Sequence, residues 1–401
     1  MNETKNKEDF KAQDILYIAE EASLGINPEN KGSNRFMKTF IPMKGDAVGE
    51  IIRKVVFMVS IAAAIVCLVL LLSDKMTEKQ EHDLNQELRQ MKESSFSKII
   101  ELSSDPTTGQ VDDGTPRGTF NGTGYVLPQW DELYEINEDI VGWIKIDDTP
   151  IDYPVVQRVI YDENGRIVGD NVHYLTHNFE GKYEYSGTIY LDRATPVIDE
   201  NRPNNAVLYG HNMNNGTKFN YVRNYYPQHF GMDALLNNPT LDFETIYDDE
   251  RTTYKIFAAI YINTADIHGY VYRYFTKRYY DNEEQFFCFI GNIMDRSVFF
   301  TEVDLEYGDE IITLSTCYYP LGSQTDRFVL FARRVRPDED PTVNVELTYI
   351  NPSPLYFDYY YRVKGGSWGG RNWDTSLVKG FDESDAFYAD SQVLCTCCPR
   401  L

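Results

Sequence analysis

The chain has 401 residues and a formal net charge of -24, with 42% hydrophobic and 14% aromatic residues. That exceeds one ordinary domain of about 100–200 residues and is apolar enough to bury a core, so a folded domain with accessory segments, or two domains, is expected. A surface this acidic repels phosphate backbones and argues against nucleic acid as a partner. The acid is unevenly spread, because residues 1–54 carry nine Lys/Arg and nine Asp/Glu and are neutral.

In chain order, the first predicted element is the run from Val55 to Leu72, eighteen residues without a charge. That length spans a bilayer core as a helix, and residues 55–73 are read as a transmembrane segment. A cleaved signal peptide is disfavoured because 54 residues precede the run and no A-x-A-like site follows it; a buried soluble helix is disfavoured because the run is apolar all round. Five Lys/Arg lie within twenty residues before it and four within twenty after it, so the charge rule favours a cytoplasmic N-terminus by one residue only.

Beyond the membrane, Leu84, Leu88 and Met91 recur at helical spacing in a Gln/Glu/Lys-rich stretch, predicting a helical stalk over about 75–101 that either pairs or lies on the domain. "SSDPTTGQVDDGTPRGTFNGTG" (103–124) has too few apolar residues to fold and reads as a flexible tether. From Leu127 onward, short Val/Ile/Tyr/Phe runs alternate with Gly/Asp/Asn/Pro turns: 142–146, 151–156, 187–191, 206–210, 253–260, 310–314 and 328–331. This pattern predicts a mostly β sandwich or barrel. Phe286, Phe287, Ile290 and Ile293 add one helix that interrupts it.

The stretch "TLSTCYYPLGSQTDRFVLF" (313–331) ends one strand-like run in Cys317 and opens the next near Arg327. A cysteine in a strand is most often a small buried apolar residue. As a nucleophile it needs its thiolate, scarce at neutral pH for a thiol of pKa about 8.5 unless a cation or base assists. Of the six histidines, His211 is the best-placed base: it follows the strand "AVLYG", where a glycine allows a sharp turn. Taken alone, His211 also fits a satisfied structural histidine.

"AVLYGHNM", then "TLSTC" about a hundred residues on, then "DRFVLFARRV", together resemble the sortase family of cysteine transpeptidases, in particular its class B branch. "NEDIVGWIKIDDTPIDYPVVQ" (137–157) and "YLTHNFEGKYEYSGTIYLD" (174–192) fall in the family's order, so the resemblance covers about 128–337. It implies a closed eight-stranded β-barrel with a helix before its penultimate strand, an uncleaved N-terminal anchor, and a catalytic domain outside a bacterial, Gram-positive cell. Residues 1–54 then form a cytoplasmic segment, 74–127 a stalk and linker, 128–337 the catalytic barrel and 338–401 an extension.

The resemblance further assigns Cys317 as nucleophile, His211 as general acid/base and Arg327 as the cation that steadies substrate and developing oxyanion. Ser315 faces the same side of its strand as Cys317 by the two-residue period, which suits either a substrate contact or a core hydroxyl. Asn178 matches a position beside the family's substrate groove, and Asn212 follows His211. The implied reaction is attack of Cys317 on the threonine carbonyl of a C-terminal sorting motif in a secreted protein. An amine of a peptidoglycan precursor or a pilin lysine then resolves the thioacyl enzyme. The class B motif resembles Asn-Pro-x-Thr, and no cofactor or metal is implied for catalysis.

Three features depart from the family pattern. Tyr318 follows the cysteine, and "YYPLGSQTD" carries a Pro-Leu-Gly turn that puts the specificity of the groove in question. The extension 338–401 is aromatic and Gly-rich where the branch usually stops; groove cover, wall-binding surface and loosely packed appendage are the readings, the last slightly favoured. Cys395, Cys397 and Cys398 lack C-x-x-C zinc spacing, though an oxidising exterior permits a disulfide, and Cys288 is expected on an apolar helix face. Asp147-Asp148 and Asp248-Asp249-Glu250 read as solvated faces rather than calcium sites, although some sortases bind calcium. Two rival classes remain: a non-enzymatic membrane-anchored adhesion protein with Cys317 in its core, and a wall transpeptidase of the L,D type. The latter wants a histidine close before the cysteine, where this chain has Leu314-Ser315-Thr316.

Overall fold

A computed structural model describes residues 39–104, 119–121, 124–195, 204–248, 251–276 and 278–381. The chain forms two compact units, Met1–Glu81 and His82–Leu401. In the first, Phe40 stacks on Phe57 with ring centroids 4.8 Å apart, and Lys54 pairs with Asp46 at 2.7 Å. Helix α1 (Val48–Ser104) is uninterrupted, so the expected membrane segment and stalk are one element. An 18-residue window in it has mean hydropathy 3.2 and no burial, as a bilayer-spanning helix requires.

In the second unit, the later turns of α1 lie on the domain. Leu88 is buried in a cluster with Val126, Trp130 and Trp143, and Leu84, Met91 and Phe96 pack against it. Lys92 reaches Glu244 at 2.6 Å, and Arg89 Nε donates to the Asp152 carbonyl at 2.9 Å. Of the expected tether, residues 105–118 and 122–123 lie outside the described residues; Thr119–Phe120 pairs with Tyr125–Val126.

Eight strands close a barrel: β1 (Ile140–Lys145), β2 (Asp152–Val156), β3 (Ile189–Leu191), β4 (Asn205–Tyr209), β5 (Thr240–Thr245), β6 (Thr253–Asn263), β7 (Ile311–Cys317) and β8 (Asp326–Arg334). Their order around the barrel is β6-β8-β7-β4-β3-β2-β1-β5. The β4/β7 and β2/β3 pairs are parallel and the others antiparallel. Seven of these strands coincide with the predicted runs. The eighth, β5, is "TLDFET", whose alternation is short and carries two acids.

Alternation divides the strands between two cores. Leu208, Ile256, Ala259, Tyr261, Ile312, Leu314, Phe328 and Leu330 fill the barrel. Val207, Phe257, Ile260, Val329 and Phe331 point outward, where helix α2 (Glu283–Arg296) covers them with Phe286, Phe289, Ile290 and Ile293. Strand β6 is therefore apolar on both faces, and a bulge between Ile256 and Ala258 resets its alternation. Asn282 caps α2 by accepting from the Gln285 N–H at 3.0 Å. Cys288, expected on an apolar face of this helix, is buried there and is disulfide-bonded; Cys67 and Cys317 are free.

The extension differs from a loose appendage. Tyr349–Ile350 pairs with Phe299–Phe300, the buried Asn351 donates to the Ser297 carbonyl at 2.6 Å, and Tyr356 and Phe357 enter the barrel core just before helix α3 (Asp358–Lys364). Further on, Arg371 grips the buried Asp295 carboxylate through two nitrogens (3.0 and 3.1 Å) and Trp373 Nε1 donates to it at 2.8 Å. Sequence concealed this packing because the partners of these anchors lie far away along the chain. The clustered cysteines 395, 397 and 398 lie outside the described residues.

Two stability predictions follow from this packing. Asp295→Ala strands Arg371 and Trp373 Nε1 without their acceptor, and is expected to cost about 3–5 kcal/mol by denaturant unfolding. Glu339, beside the buried Arg333 and bonded also to Lys255, has its carboxyl held well below the ordinary range, chiefly by the Arg333 guanidinium. A carboxyl depressed in the folded state contributes stability above its unfolded value of about 4.3 and loses it as pH falls further. Glu339→Gln should flatten the acid limb of a stability-versus-pH curve below about 4.3 and lower stability at neutral pH.

Candidate active site

The site forms where three strand ends meet. Parallel β4 and β7 pair with Ser315 opposite Tyr209, and the pairing continues past the last rung: Gly210 N–H donates to the Ser315 carbonyl (3.2 Å) and Thr316 Oγ1 to the Gly210 carbonyl (2.8 Å). His211 and Cys317 each lie two residues beyond that rung, at the same level. On the other side, antiparallel β8 sets Arg327 directly opposite Cys317. Opposed residues bring their Cβ atoms to about 4.5–5.5 Å. Because Leu314 and Phe328 point into the barrel, the two-residue period puts Cys317 and Arg327 on its outer wall, and both are half-buried.

Gly210 is required before the histidine. A Cβ there would meet Ile189 Cδ1 at 2.5 Å and Phe219 Cδ2 at 2.7 Å. His211 Nε2 lies 2.8 Å from the Leu175 carbonyl. A carbonyl only accepts, so Nε2 carries the hydrogen and Nδ1 is the nitrogen left to gain or lose a proton. Tyr185 lies nearly parallel to the imidazole, with centroids 5.9 Å apart. Asn212 Nδ2 donates to the Cys317 carbonyl at 2.7 Å and its Oδ1 accepts from Asn220 Nδ2 at 2.7 Å, joining the histidine and cysteine segments. Arg327 Nη1 donates to the Asp326 carbonyl at 2.8 Å.

The remaining expected residues have partners inside the protein. Ser315 is buried and its Oγ is 2.6 Å from the hydroxyl of the buried Tyr274. The Asn178 carboxamide oxygen accepts from the Glu180 and Lys182 N–H groups, holding a turn in the loop that supplies Leu175. Tyr318 turns toward the barrel mouth, with its hydroxyl 2.5 Å from His229 Nδ1. Tyr319 keeps company with the thiol. Its hydroxyl is pushed up to about 12, by burial first and then by the adjacent Cys317, with the Arg327 guanidinium opposing. Tyr274 is likewise pushed up to about 12 by burial, opposed by Ser315 and Arg327.

Sequence reading missed Leu175, which acts through a backbone carbonyl and leaves no side-chain signal. It also missed Tyr185, Tyr319 and Asn220; the two-residue step from Cys317 to Tyr319 was the one available hint. A cavity of about 580 Å³ lies at the other end of β7 and β8, but its Arg334 and Arg336 are already paired with Glu310, Asp304 and Asp309. Among the described residues, no group of three or more His, Cys, Asp or Glu could hold a metal ion.

Thiol, imidazole and guanidinium at adjoining strand ends on one wall of a closed barrel are the layout of a cysteine acyl-transfer enzyme. A Sortase domain model matches residues 144–335. Sortase B of Listeria monocytogenes is 30% identical over 218 residues, 54% of this chain and 78% of its own; sortase B of Staphylococcus aureus is 29% identical over 212 residues, 53% of this chain and 77% of its own. A solved Staphylococcus aureus sortase B-substrate complex superposes with a TM-score of 0.50 at 26% identity, covering 66% of this chain and all of that one. The chain belongs to the sortase family, on its class B branch, and is a cysteine transpeptidase.

Gly210→Ala forces its methyl into Ile189 and Phe219, and is expected to lower stability by about 1–3 kcal/mol in thermal unfolding.

Proposed function

We propose that this sortase is a membrane-anchored enzyme that cuts a C-terminal sorting motif of secreted proteins after threonine and joins the new carboxyl end to an amine. The observation that supports it most is the common level of His211 and Cys317 on parallel strands, with Arg327 opposite the cysteine. In the first half-reaction Cys317 gives its thiol proton to His211 Nδ1 and the thiolate Sγ bonds to the threonine carbonyl carbon. The tetrahedral oxygen gains negative charge beside the Arg327 guanidinium, which stays charged and offers a fork of donors. The peptide C–N bond then breaks as protonated His211 gives its Nδ1 proton to the leaving amine, and a thioester remains. In the second half-reaction His211 takes a proton from the incoming amine, whose nitrogen bonds to the carbonyl carbon as the C–S bond breaks and the thiolate returns.

Asn212 positions this machinery by holding the Cys317 carbonyl, leaving the sulfur as the reacting atom. The amine is that of a peptidoglycan precursor or a pilin lysine, and the motif is of the Asn-Pro-x-Thr kind. The apolar stretch of α1 anchors the enzyme with residues 1–54 in the cytoplasm and the barrel outside a Gram-positive cell.

The test is turnover of a fluorogenic peptide panel carrying Asn-Pro-x-Thr and Leu-Pro-x-Thr-Gly motifs, with and without an amine acceptor. Cys317→Ala and His211→Ala should abolish turnover. Arg327→Lys should lose about 10²–10³-fold in kcat by giving up fork geometry at the oxyanion. Full activity in any one of the three removes that residue from the mechanism.

A further inference from the structure

The loop 318–325 joins the strand of Cys317 to the strand of Arg327, and its internal hydrogen bonds are local turns: Gly322 N–H to the Tyr319 carbonyl and Asp326 N–H to that of Ser323. Its position is therefore set by what braces it. Thr264, just past the end of β6, braces the Thr325 carbonyl through its N–H (2.9 Å) and Oγ1 (2.6 Å), and the C-terminal extension backs two further braces, His268 and Tyr261; none of these involves the catalytic side chains.

At the arginine end, Tyr359 of α3 stacks on His268 with centroids 4.5 Å apart and planes 20° apart. His268 Nδ1 lies 3.1 Å from Thr325 Oγ1 and 3.2 Å from Ser323 Oγ. Arg362 covers the other partner of this stack, 5.5 Å from the Tyr359 centroid, and donates to the Ile267 carbonyl at 3.4 Å. At the cysteine end, Phe357 and Tyr360 pack on Tyr261 with centroids 5.3 and 6.2 Å away. Tyr261 in turn flanks Tyr318 at 6.5 Å and donates its hydroxyl to Asp326, the neighbour of Arg327. The extension thus reaches both ends of the segment that connects nucleophile to cation through one intermediary at each end, His268 and Tyr261.

We propose that residues 354–362 form a positioning strap for the transfer reaction, holding loop 318–325, and with it Tyr319, in the shape that receives the sorting peptide between Cys317 and Arg327. The barrel closes through β1–β8 without the strap, so the strap is not needed to complete the sheet. The inference rests on the sortase reading above. It makes the extension a determinant of substrate selection: replacing its aromatics changes which peptide is preferred.

The test uses the full chain in detergent micelles, comparing wild type, Tyr359→Ala, Tyr359→Phe and His268→Ala. The readouts are kcat and KM for two sorting peptides that differ after the threonine, the melting temperature, and hydrogen exchange of 318–325. Tyr359→Ala and His268→Ala should lower kcat/KM by about ten- to a hundredfold, unequally for the two peptides, and speed exchange in the loop while the barrel strands stay protected. Tyr359→Phe keeps the ring and should restore wild-type values. The proposal is overturned if both alanine variants keep kcat/KM and the peptide ratio within about twofold, or if activity falls only with the folded fraction. If wild type turns over no sorting peptide, the reaction assignment fails, and exchange alone decides the strap: faster exchange in 318–325 supports it and unchanged exchange overturns it.

Discussion

Parallel pairing of β4 with β7 is the constraint on which the site depends. A one-residue slip would turn every side chain of one strand to the opposite face, placing the cysteine inside the barrel or the histidine a step away. The register is held from both sides, because Leu208 and Leu314 are committed to the interior while Val207 and Ile311 are committed to the layer under α2. The hydrophobic core and the reacting groups therefore obey one rule, and packing energy spent on the first fixes the second.

Around that register the protein adds polar ties that act on main-chain atoms. The Leu175 carbonyl chooses the histidine tautomer, and Asn212 holds the cysteine's own carbonyl. Such ties orient a reactive side chain without occupying it. They also leave Cys317 and Arg327 half-exposed on an outer wall, where an extended peptide can reach them.

Much of this was legible in the residues. Strand punctuation and the apolar spacing of Phe286, Phe287, Ile290 and Ile293 gave the barrel and its helix, and the run of 55–72 marked a helix long and apolar enough to cross a membrane, since each signal is local. His211, Cys317 and Arg327 were singled out through the family resemblance, since the histidine and the cysteine taken alone also fit structural roles; the strand register then sets the three side by side. Strand β5 was missed because only Leu241 and Phe243 carry its alternation, with acids in the places between. Leu175 was invisible because its contribution is a carbonyl. The packing of the extension was hidden for a different reason: the partners of Tyr356, Arg371 and Trp373 lie 76 to 130 positions away, so nothing local signals them.

The grip of Arg371 and Trp373 on Asp295 bears on where the gene can be cut. A boundary drawn from relatives would fall near residue 335, where the family match runs out. Such a truncation would leave the buried Asp295 at the end of α2 with its cationic partner gone, expose the Phe299–Phe300 edge to pairing with other chains, and uncover the ring of Tyr261 at the barrel mouth. Poor solubility of a shortened enzyme would then report a missing brace, and the remedy would be to restore the C-terminal residues rather than to change the host or buffer.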